Sequence, residues 1–356
     1  MPKKSSTIDV VSAAAAPEEP RVIDSTQTVD ERDFDRALRP TKFADLIGQR
    51  KVTDNLRVYV QAAKQRKEPL DHVLLCGPPG LGKTTIAYIL GNELGTNVIT
   101  AHGPAVEHKG QLAALLTRME PRDVLFIDEI HRLSPVVEEN LYTAVEDFRI
   151  DIVQGDGPYA ATLQLPLNPF TLIGATTRTG LLTNPLLSRF GIVERLDYYP
   201  AEELKLVVLR SARLMRIAIE DDAAFEIARR SRGTPRIANR LLRRARDFAT
   251  VDGSDAITLV SAASALKRLD IDDIGLDSMD RRFLRTIMDH YKGGPVGIDT
   301  LAAALSEPRD TLEDVYEPYL IQQGLLARTA RGRVVTDHAY THLGLPLPVR
   351  KQERLF

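Results

Sequence analysis

The stretch "HVLLCGPPGLGKTTIAYILGNEL", residues 72–94, constrains the fold more than any other part of the chain. A short apolar run leads into "GPPGLGKT", Gly77 to Thr84, and a segment with helical spacing follows. Strand, glycine-rich loop and helix in that order make a P-loop. Gly77, Gly80 and Gly82 let backbone N–H groups close around phosphate oxygens, and the helix N-terminus adds a favourable dipole. Lys83 is spaced to reach the β- and γ-phosphates, and the Thr84 hydroxyl to ligate Mg²⁺.

The flanking sequence agrees. From about 35 to 200, the runs "HVLLCG", "NVITAHG", "DVLFIDE" and "FTLIGATT" are each followed by helical or loop sequence, which predicts a parallel sheet covered by helices. In "DVLFIDEIHRL", Val124 to Ile127 form a buried strand from whose end Asp128 and Glu129 emerge. Asp128 is placed to hold hydrated Mg²⁺ and Glu129 to orient and deprotonate a water; two acids here also suit helix N-caps. Thr177, leaving "FTLIGATT", would reach the γ-phosphate or the water if that strand is central. Arg236, in "SRGTPRIANRLL", could fold over the phosphates from a helical block. Each also has a plain reading, as a strand-end threonine and a surface arginine. So does Arg189, at the tip of a short apolar helix, which alone reads as a solvated charge.

At 356 residues the chain needs two or three cores. Residues 1–33 read as a flexible polar tail, too weakly apolar for a signal peptide. Residues 34–200 form the large domain, and 201–270 a small all-helical block without a convincing strand. In 271–356, "DRRFLRTIMDHY", "IDTLAAALS" and "TLEDVYEPYLIQQG" read as three helices. "LLARTARGRVVT" then reads as two strands joined by an Arg-Gly-Arg turn, the order of a winged helix. The lone cysteine, Cys76, lies in an apolar run and suits a reducing cytosol as a buried thiol. No run is long enough to span a membrane. A net charge of −2 confines any DNA contact to a local basic patch.

P-loop, Asp-Glu strand end, polar strand-end sensor, trailing arginine and a helical lid with its own arginine together resemble the AAA+ ATPases. More narrowly, "RALRPTKFADLIGQ", "LLCGPPGLGKTT", "TLIGATTRTGLLTNPLLSRFGIV", "RGTPRIANRLLRR" and "YEPYLIQQGLLARTARGR" resemble, in order, the RuvB family of bacterial Holliday-junction branch-migration motors. The resemblance runs from about residue 34 to the C-terminus. It implies an α/β AAA+ ATPase domain, a helical lid and a winged-helix head. The activity implied is ATP-driven movement of duplex DNA by a cytoplasmic hexameric ring, in recombination and repair. It further implies that Leu38, Arg39 and Tyr199 contact the adenine side of ATP, and that Gly80, Lys83, Thr84 and Thr85 hold phosphates and Mg²⁺. Thr177 and Arg236 become the two sensors, and Glu146, Asp147 and Phe148 join the nucleotide site. Arg189 becomes an arginine finger acting on the next subunit's γ-phosphate, which can be worth roughly 10³–10⁵ in rate.

Residues 149–167, "RIDIVQGDGPYAATLQLPL", alternate around Gly155-Asp156-Gly157 and predict a β-hairpin with an apolar tip. It could fold back on its own domain; the resemblance implies that it docks on RuvA, with Ile150, Ile152, Val153 and Tyr159 as contacts. RuvC is the further partner implied, in a resolving complex. Arg328, Arg331 and Arg333 cluster at the expected wing and could neutralise duplex phosphates at a four-way junction, although winged helices also bind proteins. Arg309 matches a family DNA contact. The most basic run, "RRSRGTPRIANRLLRRAR", has eight arginines and no acid, and reads as a charged lid face and not as a DNA site. Two other functions share these motifs: a clamp loader, which expects a helical collar at the C-terminus, and a nucleotide-gated DNA-binding scaffold that does not translocate.

Overall fold

The computed structural model describes residues 37–154 and 161–347. The tail, Gly155-Asp156-Gly157, Tyr159 and the last nine residues therefore lie outside the described residues.

Five parallel strands form the central sheet: β1 (Val73–Cys76), β2 (Val98–His102), β3 (Val124–Asp128), β6 (Thr171–Thr176) and β7 (Ile192–Arg195), in the order β2-β3-β6-β1-β7. The apolar runs of β1 and β6 are buried throughout because helices cover both faces. Helices α1 (Arg50–Arg66), α2 (Lys83–Leu94), α3 (Lys109–Leu116), α4 (Pro135–Asp147) and the short α5 (Asn184–Leu187) belong to this domain. The four expected strands are present, and β7 is an addition. It pairs only with β1, and its residues alternate between buried Ile192 and exposed Val193, so no continuous apolar run marked it. Between α4 and β6 stand the antiparallel strands β4 (Arg149–Gln154) and β5 (Ala161–Pro166) of the expected hairpin.

Period-two alternation divides β1 between two cores. Leu74 and Cys76 join Leu125, Leu172 and Phe190 on one face, where burial pushes the Cys76 thiol pKa up. Val73 and Leu75 join Phe126 and Ile173 on the other, and that cluster continues without a break into the lid through Leu204, Leu241 and Leu266. The lid is α6 (Ala201–Leu214), α7 (Asp221–Arg229), α8 (Pro235–Val251) and α9 (Leu259–Arg268). It also holds one parallel pair that the sequence did not suggest, β8 (Ala218–Ile219) with β9 (Ala256–Ile257), at two residues each too short to give a pattern.

The C-terminal domain has a separate core around Phe283, Leu301, Leu312 and Tyr316. Its helices are α10 (Ser278–Tyr291), α11 (Ile298–Leu305), and a third that starts as α12 (Arg309–Thr311), widens into a π-turn over Leu312–Tyr316 and ends as α13 (Glu317–Gln322). Pro318 explains the widening, since it has no N–H to return to the carbonyl of Asp314 four residues back. Strands β10 (Leu326–Thr329) and β11 (Gly332–Val335) form the wing, followed by α14 (Asp337–His342). The turn is Ala330-Arg331, earlier than the expected Arg-Gly-Arg. Gly332 already belongs to β11 at φ 134°, and a side chain there would strike the Val296 carbonyl. No helix among the described residues is long and apolar enough to cross a membrane.

Candidate nucleotide site and its surroundings

Because β1, β6 and β3 are adjacent and parallel, everything that leaves their carboxyl ends converges. The P-loop follows β1, Asp128 and Glu129 end β3, and Thr177 follows β6. The lid closes the other side, where the Arg236 backbone N–H, in the first turn of α8, donates to the Gly80 carbonyl at 3.4 Å. The resulting cleft encloses about 1010 Å³, open solvent included. Gly80, Gly82, Lys83, Thr84 and Thr85 line it, together with Asp128 and Glu129. Leu38, Arg39, Tyr199 and Arg236 line it as well. The sequence reading had not singled out Ile47, Arg210, Ser211 or Asn239, which also line it. Arg210 Nη1 donates to the Leu38 carbonyl at 2.8 Å and so ties α6 to the segment before α1. Ile47 and Asn239 lie inside quoted motifs, whereas Arg210 and Ser211, on α6, carried no signal in the sequence.

Charge in the cleft is arranged for an anionic ligand. Lys83 is almost fully buried and donates from Nζ to the carbonyls of Gly77 (2.7 Å) and Pro78 (2.9 Å). Burial lowers its pKa to about 8, against the opposing pull of Glu129 and Asp128. Bound phosphates would supply the anions that the buried ammonium lacks. Thr84 Oγ1 stands 3.4 Å from Asp128 Oδ2, two hard oxygen donors of the kind a hydrated Mg²⁺ accepts. Glu129 adopts φ 52°, and burial raises its carboxyl pKa. Thr177 donates to its Oε2 at 3.3 Å, and His131 Nδ1 lies 3.4 Å from the same oxygen and 3.0 Å from the Thr176 hydroxyl. Burial lowers the His131 pKa, with Arg178 next in effect, so the imidazole is neutral at neutral pH. A base aimed into the cleft, fixed by a hydroxyl beyond the phosphate loop, suits hydrolysis of a nucleotide better than its storage.

Comparison with known proteins separates this P-loop site from others of its class. Residues 38–196 match the Holliday junction DNA helicase RuvB P-loop domain, 199–272 the RuvB AAA lid domain, and 273–344 the RuvB C-terminal winged helix domain. The chain belongs to the RuvB family. Among solved structures it is similar to the Thermotoga maritima RuvB Holliday junction branch migration motor, at 53% identity over 88% of this chain and 100% of that one, with a TM-score of 0.81. Two mutant forms of the Thermotoga maritima protein match at 53% identity over 87% of this chain and 100% or 99% of theirs, with TM-scores of 0.82. As a RuvB-family member the chain is an ATPase and a branch-migration motor that binds nucleotide and junction DNA. A winged helix stands where a clamp loader would carry a helical collar.

Several RuvB-matched residues lie away from the cleft. Arg189 is absent from its lining and instead pairs through Nη2 with Glu146 Oε1 at 2.9 Å, while its guanidinium stacks on Tyr142, 4.6 Å from the ring centroid. The acid that the local sequence lacked is thus supplied by α4. The Arg189 Nε is buried with no hydrogen-bond partner. Glu146, Asp147 and Phe148, at the end of α4, are equally absent from the cleft lining. Of the three only Glu146 meets Arg189; Asp147 pairs with Arg149 at 3.1 Å, and Phe148 packs edge-on against Phe170.

The hairpin and wing require two corrections. Ile150 was expected at a partner surface, but it is 1% exposed and packs in the large-domain core, so it anchors the hairpin instead. Ile152 and Val153 lie on β4, and Ile152 is in register with Leu163 of β5, which is exposed and had not been singled out. Arg333 was expected with Arg328 and Arg331 on an open wing. Arg328 and Arg331 are exposed, whereas Arg333 is 6% exposed and spent internally. Its backbone exchanges two hydrogen bonds with Val296, and its guanidinium donates to Glu317 (2.9 and 3.1 Å) and Glu313 (3.0 Å). Arg309 is exposed but engaged with Asp299 and Glu313. The basic lid run is likewise matched by acids from elsewhere: Arg229 and Arg230 by Glu226 and Asp273, Arg232 by Asp280, and Arg244 and Arg246 by Asp247.

Proposed function

We propose that the chain works as a cytoplasmic homo-hexameric ring around duplex DNA, in which each cleft is completed by a neighbour. The observation that carries this is the position of Arg189: it stands outside the cleft of its own chain, paired with Glu146. Presented to the next subunit's γ-phosphate, Arg189 would exchange the Glu146 carboxylate for a more highly charged partner. Within one subunit, Lys83 and the P-loop N–H groups hold the phosphates, and Leu38, Arg39 and Tyr199 hold the base and sugar side. Glu129, oriented by Thr177, takes the proton of the attacking water. Thr84 and Asp128 would hold Mg²⁺, which when bound shields phosphate charge. Arg236 touches the P-loop through its backbone and links phosphate occupancy to the lid angle.

Arg328, Arg331 and Arg309 are the DNA contacts in this reading, acting on phosphates without reading bases. The β4–β5 hairpin docks RuvA through Ile152, Val153 and Tyr159, and RuvC joins the resolving complex. The test is dissociation of a synthetic four-way junction by the full-length protein with RuvA of the same source. Dissociation that requires both ATP and RuvA, and that Arg189→Ala abolishes, supports the motor. Steady ATP hydrolysis with an unmoved junction would leave a nucleotide-gated scaffold instead.

A further inference from the structure

One side chain carries the winged-helix domain to the hydrolytic site. Arg178 directly follows Thr177, and its backbone N–H donates to the Thr176 hydroxyl at 3.0 Å, the same oxygen that meets His131. Its guanidinium then leaves the large domain. Nε donates to Asp314 Oδ1 at 2.6 Å and Nη2 to Asp310 Oδ1 at 3.3 Å, and Nη2 lies 3.6 Å from Glu313 Oε2. Glu313 and Asp314 are presented by the π-turn that Pro318 imposes, a distortion concentrated at functional positions in helices.

We propose that Arg178 is a positioning residue for hydrolysis, through which the winged-helix domain sets the arrangement of Thr177 and Glu129 when duplex DNA is engaged. Glu313 is the shared element, since Arg178, Arg309 and Arg333 all address it. Arg333 is fixed in place by Glu317, whereas Arg309 is 54% exposed at its side chain. A duplex phosphate that draws Arg309 away removes a cation from Glu313 and Asp310. Those acids then hold Arg178 more tightly, and the change enters the site at the next residue back, Thr177. By reciprocity, a firmly held Arg178 makes Arg309 easier to release to DNA. The Asp314 carboxylate also acts through space, helping to hold the Glu129 pKa up.

The inference rests on the motor reading, because it takes Arg309 as a DNA contact. Its test is steady-state ATP hydrolysis by the full-length protein with and without duplex, resolved into kcat and KM. The variants are Asp314→Asn, Arg178→Gln and Arg178→Lys, each with a melting curve. The expected result is that Asp314→Asn and Arg178→Gln lower the ratio of DNA-bound to DNA-free kcat by about 5-fold or more. The KM for ATP should move less than about 2-fold, because ATP binding is not what the contact controls. Arg178→Lys, which keeps the charge, should recover part of the ratio. If Arg178→Gln does not fold, Asp314→Asn decides the matter from the other side of the contact. A wild-type ratio in both Asp314→Asn and Arg178→Gln overturns the role of Arg178 alone. Wild-type hydrolysis that ignores duplex overturns the motor reading and this inference with it.

Discussion

Among the described residues, the winged-helix domain meets the lid and the large domain through the same chemistry, arginine against carboxylate, at different depths of burial. Against the lid, Arg232 and Asp280 form an ion pair with side chains 2% and 0% exposed, and Arg232 also donates to the Gly275 carbonyl at 2.9 Å and stacks on Tyr319. Against the large domain, Arg178 is 24% exposed at its side chain, and its closest partner, Asp314, 32%. Removing one member of a buried pair strands the other in a low dielectric and costs several kcal/mol, whereas a solvated pair contributes about 0–1 kcal/mol. The ion pair with the lid is therefore the firmer of the two and the contact with the large domain the looser, while the lid itself shares a continuous apolar core with the large domain.

The sharpest way to break that comparison is Asp280→Ala. It leaves the buried Arg232 guanidinium with only the more distant Asp277, 3.7 Å away, and should cost about 3 kcal/mol in chemical unfolding. A cost as small as that of a surface pair would erase the distinction. Arg333→Ala should come next, at about 3 kcal/mol, because Glu317 is left buried while Glu313 keeps Arg178 and Arg309. An unchanged melting curve would return Arg333 to the open wing where the sequence placed it.

The same rule predicts a pH response in the cleft. Lys83 titrates at about 8 in the free site, and bound phosphates raise that value, so the protonated form binds nucleotide best. Nucleotide affinity should be flat below pH 8 and fall above it, approaching tenfold per pH unit. A titration of fluorescent nucleotide between pH 7 and 9.5 that shows no fall would mean the lysine is not in contact with the phosphates. On the exposed side, Asp314→Asn should cost about 1 kcal/mol or less in stability, and less still in high salt. The smallest effect belongs to Arg331→Ala. It should leave the melting temperature where it is while reducing the salt slope of duplex binding by about 1; an unchanged slope would remove Arg331 from the DNA surface.

Much of the large domain was legible because its signals are local. A strand buried on both faces is dominated by apolar residues, so β1, β3 and β6 announced themselves, and the residues at their carboxyl ends could be named in advance. The edge strand β7 has one covered side and no such run. The arginines were harder. Arg328, Arg331 and Arg333 look alike in sequence, and only the pairing of β11 with Val296 and the reach to Glu317 set the third apart. The burial of Ile150 follows from the core packed beneath that end of the hairpin, which spacing cannot convey.

What the sequence determined by itself was chemistry at fixed short spacing: a P-loop between strand and helix, two acids leaving a strand, a polar residue ending its neighbour. Those spacings are properties of the backbone and survive without knowledge of anything distant. Only the tertiary structure decided which acid each arginine answers. Arg189 meets Glu146, Arg178 meets Asp314 and Arg232 meets Asp280, each across a long separation in the chain. The strength of each pair depends on the water left around it, and that is a property of packing.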